Sequence, residues 1–113
     1  MQLTSRTKAE KASGDLHRIR IDLFDFDPRN RKAAIGMYIA PHARGKGIGR
    51  QAVKLLEEYA FGFLNMRMLY AIIATQNIAC SSIYEKEGYT PSSVLPAWTL
   101  EDDAIIWQKW TSQ

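Results

Sequence analysis

Strict alternation marks the first readable stretch of the chain. Over residues 16–26, Ile19, Ile21 and Leu23 fall on one face and Arg18, Arg20 and Asp22 on the other, the two-residue period of a half-buried strand. Phe24 and Phe26 break that parity, as a bulge near Asp22 would. Asp27-Pro28-Arg29-Asn30 is a turn by its chemistry: Asp opens it, Pro presets φ and Asn tolerates the left-handed region. A second strand over residues 33–40 completes a hairpin. Ile35, Met37 and Ile39 alternate there with Gly36, Tyr38 and Ala40, a set that predicts burial on both faces.

Pro41 ends that strand, and a glycine-rich loop follows over residues 44–49. The period then changes to 3.6. Val53, Leu56, Ala60 and Phe63, widened by Ala52, Leu55 and Tyr59, predict a helix over residues 50–64 with Lys54, Glu57 and Glu58 in water. The apolar run 69–74 suits a central strand parallel to its predecessor through that helix. Asn77 caps a second helix reaching about Glu87, and Gly88 stops it. Residues 91–96 read as a connector, followed by a hairpin of 97–100 and 104–110 turned at Glu101-Asp102-Asp103. Residues 1–15 are polar and end in the turn signal Ser13-Gly14-Asp15, so they are either a solvated arm or an edge strand. The order β-β-loop-α-β-α-β-β predicts an α/β (α+β) fold with helices on a mixed sheet, in a single domain spanning 1–113.

Composition narrows the chemistry. The chain has 113 residues, 46% hydrophobic and 24% charged, enough apolar content for a packed domain and too little charge imbalance for disorder. A net charge of +3 suits an anionic ligand but not a nucleic-acid partner. The single cysteine, Cys80, excludes an intramolecular disulfide framework and any site of several thiolates. His17 and His42 have no acidic or thiol neighbour at ligand spacing, so no metal is expected. Without an apolar run of roughly 18 residues or an apolar leader at the start, the expectation is a soluble cytoplasmic protein with no membrane partner.

The most informative segment is Arg44-Gly45-Lys46-Gly47-Ile48-Gly49. Glycines at alternate positions let the backbone turn sharply and bring its N–H groups close to a ligand. The helix that follows adds about half a positive charge at its N-terminus, and Arg44, Lys46 and Arg50 supply countercharge. This chemistry asks for a phosphate or pyrophosphate. No Gly-Lys-Ser or Gly-Lys-Thr is present to hold magnesium as a P-loop does. The glycine spacing departs from the dinucleotide fingerprint, and the uncharged run 69–74 has no acidic residue for a ribose. Arg44, Gly47 and Gly49 do fit the [Q/R]-x-x-G-x-[G/A] loop of acetyl-CoA-dependent N-acetyltransferases; the bland alternative is a loop needing glycine only to turn.

With this loop in place the chain resembles the GNAT acetyltransferase superfamily, in particular its ribosomal-protein and spermidine or spermine branch. Ile35-Gly36-Met37-Tyr38-Ile39-Ala40-Pro41 resembles the fourth strand of that branch, and Asp22-Leu23-Phe24-Asp25-Phe26-Asp27-Pro28 the preceding strand and turn. Asn77 with Ile83-Tyr84-Glu85-Lys86-Glu87-Gly88-Tyr89 is similar to N-x-x-S/A-x-x-x-Y-E-K-x-G-F. The likeness covers roughly residues 20–110. Measured against the family, the chain reads as N-terminally short, without the usual first strand and helix pair over the acceptor pocket.

The resemblance implies direct acetyl transfer from acetyl-CoA to a primary amine on a small molecule or peptide, without a metal. It implies that Met37, Tyr38 and Ile39 part from the run 69–74 and pair with the pantetheine arm, with an N–H near Ile39 meeting the thioester oxygen. The pyrophosphate would lie on the amides of Arg44, Gly45, Lys46, Gly47, Ile48 and Gly49, beside Arg50. Asn77 and Tyr84, seven residues apart, leave the second helix on one face, with Asn77 holding the pantetheine or acetyl end and Tyr84 the general acid. Lys86 is a candidate for the 3′-phosphate. Each has a plainer reading, Tyr84 as a packing aromatic and Lys86 as a solvated lysine. Asp22 and Asp25 are not assigned as base, and Cys80, its thiol expected to be lowered by the helix dipole, reads as a packing thiol. A catalytically incomplete acyl-CoA-binding module is the rival function, and an unpaired sheet edge would favour a homodimer.

Overall fold

Among the described residues six strands form one sheet in the order β1-β2-β3-β4-β6-β5: β1 (Gln2–Ser5), β2 (Ile19–Asp27), β3 (Lys32–Ile39), β4 (Met68–Ala74), β5 (Thr90–Leu95) and β6 (Ala104–Trp110). The helices α1 (Ile48–Glu57) and α2 (Ile78–Lys86) connect β3 to β4 and β4 to β5. The computed structural model describes the backbone of residues 2–5 and all of residues 18–112. Residues 6–17, including His17 and most of the polar arm, lie outside that description. Gln2–Ser5 takes the edge-strand alternative, antiparallel to β2, so a strand does precede Ile19.

Alternation in β2 and β3 does what the pattern demanded. Ile19, Ile21 and Leu23 are buried and join Ala33, Ile35, Leu69, Ala71, Ile73 and Trp107 in a core with Val53, Leu56 and Ala60 of the first helical segment and Tyr84 of α2. The bulge sits at Asp25, which has φ 51° between the paired residues Phe24 and Asp27, three residues beyond the position expected from parity. In the following turn Asp27 accepts the Asn30 N–H at 2.9 Å, and the left-handed residue is Arg31 (φ 55°) instead of Asn30. Only the first half of β3 is buried on both faces. Ala33, Ala34 and Ile35 are enclosed, whereas Tyr38 is 58% exposed.

Two further expectations fail for physical reasons. The long helix starts at Ile48, not Arg50, and runs as an α-helix only to Glu57; Glu58–Phe63 is a π-helical turn. Its wider coil shifts the phase of the stripe, burying Ala60 but leaving Phe63 76% exposed, while Leu55 on the flank is also exposed. The second failure is at the closing hairpin. Residues 91–96 are not a connector: β5 is Thr90–Leu95, and residues 97–100 form the loop to β6. As an edge strand with a register shift between Pro91 and Ser93, β5 tolerates Pro91 and needs no apolar alternation, which hid it from a pattern search.

Candidate functional site

The site begins where the sheet divides. β3 and β4 run parallel but pair only at Lys32–Met68, Ala33–Leu69 and Ala34–Tyr70. Beyond Ala34 the strands part. The Ala40 N–H donates to the Arg18 carbonyl at 2.9 Å. Because antiparallel residues alternate in the neighbour they bond, Met37 and Ile39 therefore turn their main-chain groups away from β2, toward the gap. The Ile39 carbonyl accepts the Nε–H of Arg44 at 3.2 Å, which fixes a side chain otherwise read as mobile countercharge.

The chain then enters a single 3₁₀ turn, Pro41–Ala43, and the glycine loop. Gly45 (φ 77°) and Gly47 (φ 74°) are left-handed, the conformation in which a side chain is strained. Gly47 is the N-cap of α1, and neither a capping side chain nor an acidic residue occupies the first turn. The leading amides of a helix have no intrahelical partner. With the helix dipole behind them they form a receptor for negative charge. Gly49 has a different reason: a Cβ there would lie 2.6 Å from Cδ1 of Ile83 and 2.8 Å from Cδ1 of Ile39, so α1, α2 and β3 converge on it.

Together these elements enclose a cavity of about 530 Å³. Met37, Tyr38, Ile39, Arg44, Gly45, Gly47, Ile48, Gly49 and Arg50 line one side, and Asn77 and Lys86 of α2 the other; Lys46 is exposed and is not in the lining. Ala43, Ala79, Ser82 and Ile83, not singled out from sequence, and Cys80, read there only as a packing thiol, complete the wall. Ser82 and Ile83 follow Ala79 at three and four residues, a spacing that would have flagged them once the facing side of α2 was known. Asn77 caps α2 by accepting the Cys80 N–H at 3.2 Å. Such a set of main-chain donors, basic side chains and apolar wall fits a ligand with a phosphorylated end and an apolar arm.

Tyr84 stands apart. It is 1% exposed, packed edge-to-face on Tyr89 with ring centroids 5.0 Å apart, and it does not line the cavity. Burial, with Cys80 and Glu57 adding to it, holds its phenol well above the ordinary value, so it keeps its proton. Cys80 corrects an expectation: burial pushes its thiol up, not down. Asp22 and Asp25 are also outside the lining; Asp22 faces Arg20 at 3.4 Å and Asp25 is exposed at the bulge. Among the described residues no cluster of three or more His, Cys, Asp or Glu is placed to hold a metal, and no helix is long and apolar enough to cross a membrane.

Glu87 was read only as the end of the second helix and part of its signature, not as a residue of the site. Its side chain is 4% exposed and accepts the Arg50 Nε–H at 2.6 Å, with Lys54 Nζ 3.9 Å away. Nearby, Lys109 ties the strands to the helices through Glu57 at 3.0 Å and the Glu87 carbonyl at 2.8 Å. Ion pairs across separate elements carry no short-range sequence signal.

Known proteins resemble this chain. Residues 10–90 match the family model described as Acetyltransferase (GNAT) domain. A spermidine N(1)-acetyltransferase of Escherichia coli is 33% identical over 70 residues, covering 62% of this chain and 38% of that protein. A putative ribosomal N-acetyltransferase of Bacillus subtilis is 36% identical over 69 residues, covering 61% and 38%. The chain thus spans less than half the length of these curated relatives. Among solved structures, a spermidine N-acetyltransferase of Vibrio cholerae in complex with CoA and spermine superposes with a TM-score of 0.80 at 22% identity, over 88% of this chain and 61% of that one. A chimera of the same enzyme reaches 0.86 at 20% identity, over 98% and 69%. At these identities the superpositions speak to the fold.

Proposed function

The chain belongs to the GNAT acetyltransferase family, and on that premise we propose that it is a single acetyl-CoA-binding unit that transfers an acetyl group directly to a primary amine. The observation that carries this reading is the cavity where β3 parts from β4, closed by a left-handed glycine loop and an uncapped helix N-terminus. The loop amides and Arg50 bind the pyrophosphate, Lys86 takes the 3′-phosphate and Asn77 orients the pantetheine arm. Met37 and Ile39 bond that arm as an added strand.

The Ile39 N–H, turned into the gap, stabilises the oxyanion as the amine attacks the thioester carbonyl. A C–N bond forms, the C–S bond breaks and the amine releases a proton to solvent. Tyr84 gives its proton to the departing thiolate. Burial keeps the proton on the phenol but makes it a weaker donor than a free tyrosine, and Cys80, one turn earlier on α2, lines the cavity. The acceptors in view are polyamines, from the relatives named for spermidine, and protein amines, from the one named for ribosomal acetylation. A dodecameric spermidine N-acetyltransferase shares the fold, which supports an assembly of more than one copy.

The enclosure of Tyr84 favours one second reading, a CoA-binding module without turnover. A single experiment separates the two. CoA raises Tm under both, but only the enzyme releases free thiol when given acetyl-CoA with spermidine or an amino-terminal peptide. No rise in Tm with CoA removes both.

A further inference from the structure

Resting on the reading of the cavity as a CoA site, we propose that Glu87 is a positioning residue that acts through Arg50 to hold the cofactor's phosphates. Arg50 stands on the first turn of α1 and lines the cavity; Glu87 stands at the C-terminal end of α2. The bond between them is 2.6 Å long and joins the two helices that form opposite walls.

The atoms used matter. Glu87 takes only the Nε–H of Arg50, and the guanidinium makes no other hydrogen bond or ion pair among the described residues. Four of its five N–H donors remain for a phosphate. A long, flexible side chain normally loses its rotamer freedom when a ligand binds, and that loss weakens affinity. Here the loss has already occurred on folding, because a carboxylate with a side chain only 4% exposed holds the fork in place. The buried carboxylate is paired with Arg50 and with Lys54 at 3.9 Å. Lys86, the preceding residue, lines the same cavity, so one end of α2 sets both cationic contacts.

Calorimetric titration of the full chain with CoA and with pantetheine tests this. Glu87→Ala should weaken CoA about threefold to tenfold, the effect of leaving one long side chain to be ordered on binding, and leave pantetheine, which has no phosphate, unchanged. Glu87→Gln keeps an acceptor for Nε–H and should restore most of the affinity. In an Arg50→Gln background Glu87→Ala should have no further effect. A scaffold role would weaken both ligands and persist in that background, and either result overturns the proposal. So does a gain in CoA affinity in Glu87→Gln, which would mean that the carboxylate competes with phosphate for Arg50. If Glu87→Ala does not fold, the Glu87→Gln and Arg50→Gln cycle reads the same linkage. Failure of the wild-type chain to bind CoA overturns the functional reading and this inference with it; binding without linkage overturns the inference alone.

Discussion

Gly49 and Ile83 meet so closely that a methyl group on the glycine would sit 2.6 Å from Cδ1 of the isoleucine, and this contact sets the distance between α1 and α2 across the cavity. Ile39 closes the other side at 2.8 Å. Both neighbours are the flexible ends of side chains, so a small substituent is partly absorbed and a branched one is not. Gly49→Val should cost about 1–3 kcal/mol by overpacking and should displace Ile39 from the gap. Urea denaturation measures the first effect, and the CoA-induced rise in Tm the second. Unchanged stability and unchanged CoA response would remove the tight contact from the account.

Gly47 offers a contrast. No atom lies within 4 Å of a Cβ built there, so its constraint is its left-handed φ of 74°. Gly47→Val should cost about 1–2 kcal/mol through backbone strain and abolish the CoA-induced shift. Gly47→Asn, tolerated in that conformation, should restore the fold and part of the binding. Equal behaviour of the two variants in thermal melts would refute a conformational cause.

Tyr84→Phe divides chemistry from packing. The ring contact with Tyr89 survives the change, so Tm should stay near that of the wild type. If the hydroxyl is the acid, thiol release should fall by about 10²–10⁴-fold with CoA affinity preserved. A turnover rate within a few-fold of wild type would leave Tyr84 as a core aromatic.

The loop before β6 predicts a pH dependence. Asp102 accepts hydrogen bonds from the Thr75 hydroxyl, the Gln76 N–H at 2.8 Å and the Asp103 N–H at 2.8 Å. The Thr75 bond, then the Gln76 N–H, holds its carboxyl below the usual range. A depressed folded-state pKa stabilises above the unfolded value of about 3.9, and the contribution disappears as pH falls through the lower, folded value. Tm measured from pH 7 down to pH 2 should therefore drop in the acid range, and the drop should be smaller in Asp102→Asn, which starts from a lower Tm at pH 7. Parallel acid curves for the two proteins would exclude Asp102 as a contributor.

What the sequence made legible follows from range. Ile19, Ile21 and Leu23 declare a buried face by local alternation, and Asn77 marks a helix start by its capping preference. Eleven of the twelve residues named for the cofactor line one cavity, because a loop and a helix face are short-range objects. Glu87 needed the third dimension, since its partner Arg50 is 37 residues away. Thr90–Leu95 was unreadable for another reason: an exposed edge strand has no apolar face to announce it. The π turn at Glu58–Phe63 changes helical phase without any residue that forbids an ordinary continuation.

The three residue pairs that join β3 to β4 give the sheet a short seam between two ribbons, β1-β2-β3 and β4-β6-β5. Below Ala34 and Tyr70 the ribbons are stitched; above them the fabric is open. A molecule that binds this slit in the folded chain and not in the unfolded one raises the stability of the whole sheet by an amount set by its affinity and its concentration.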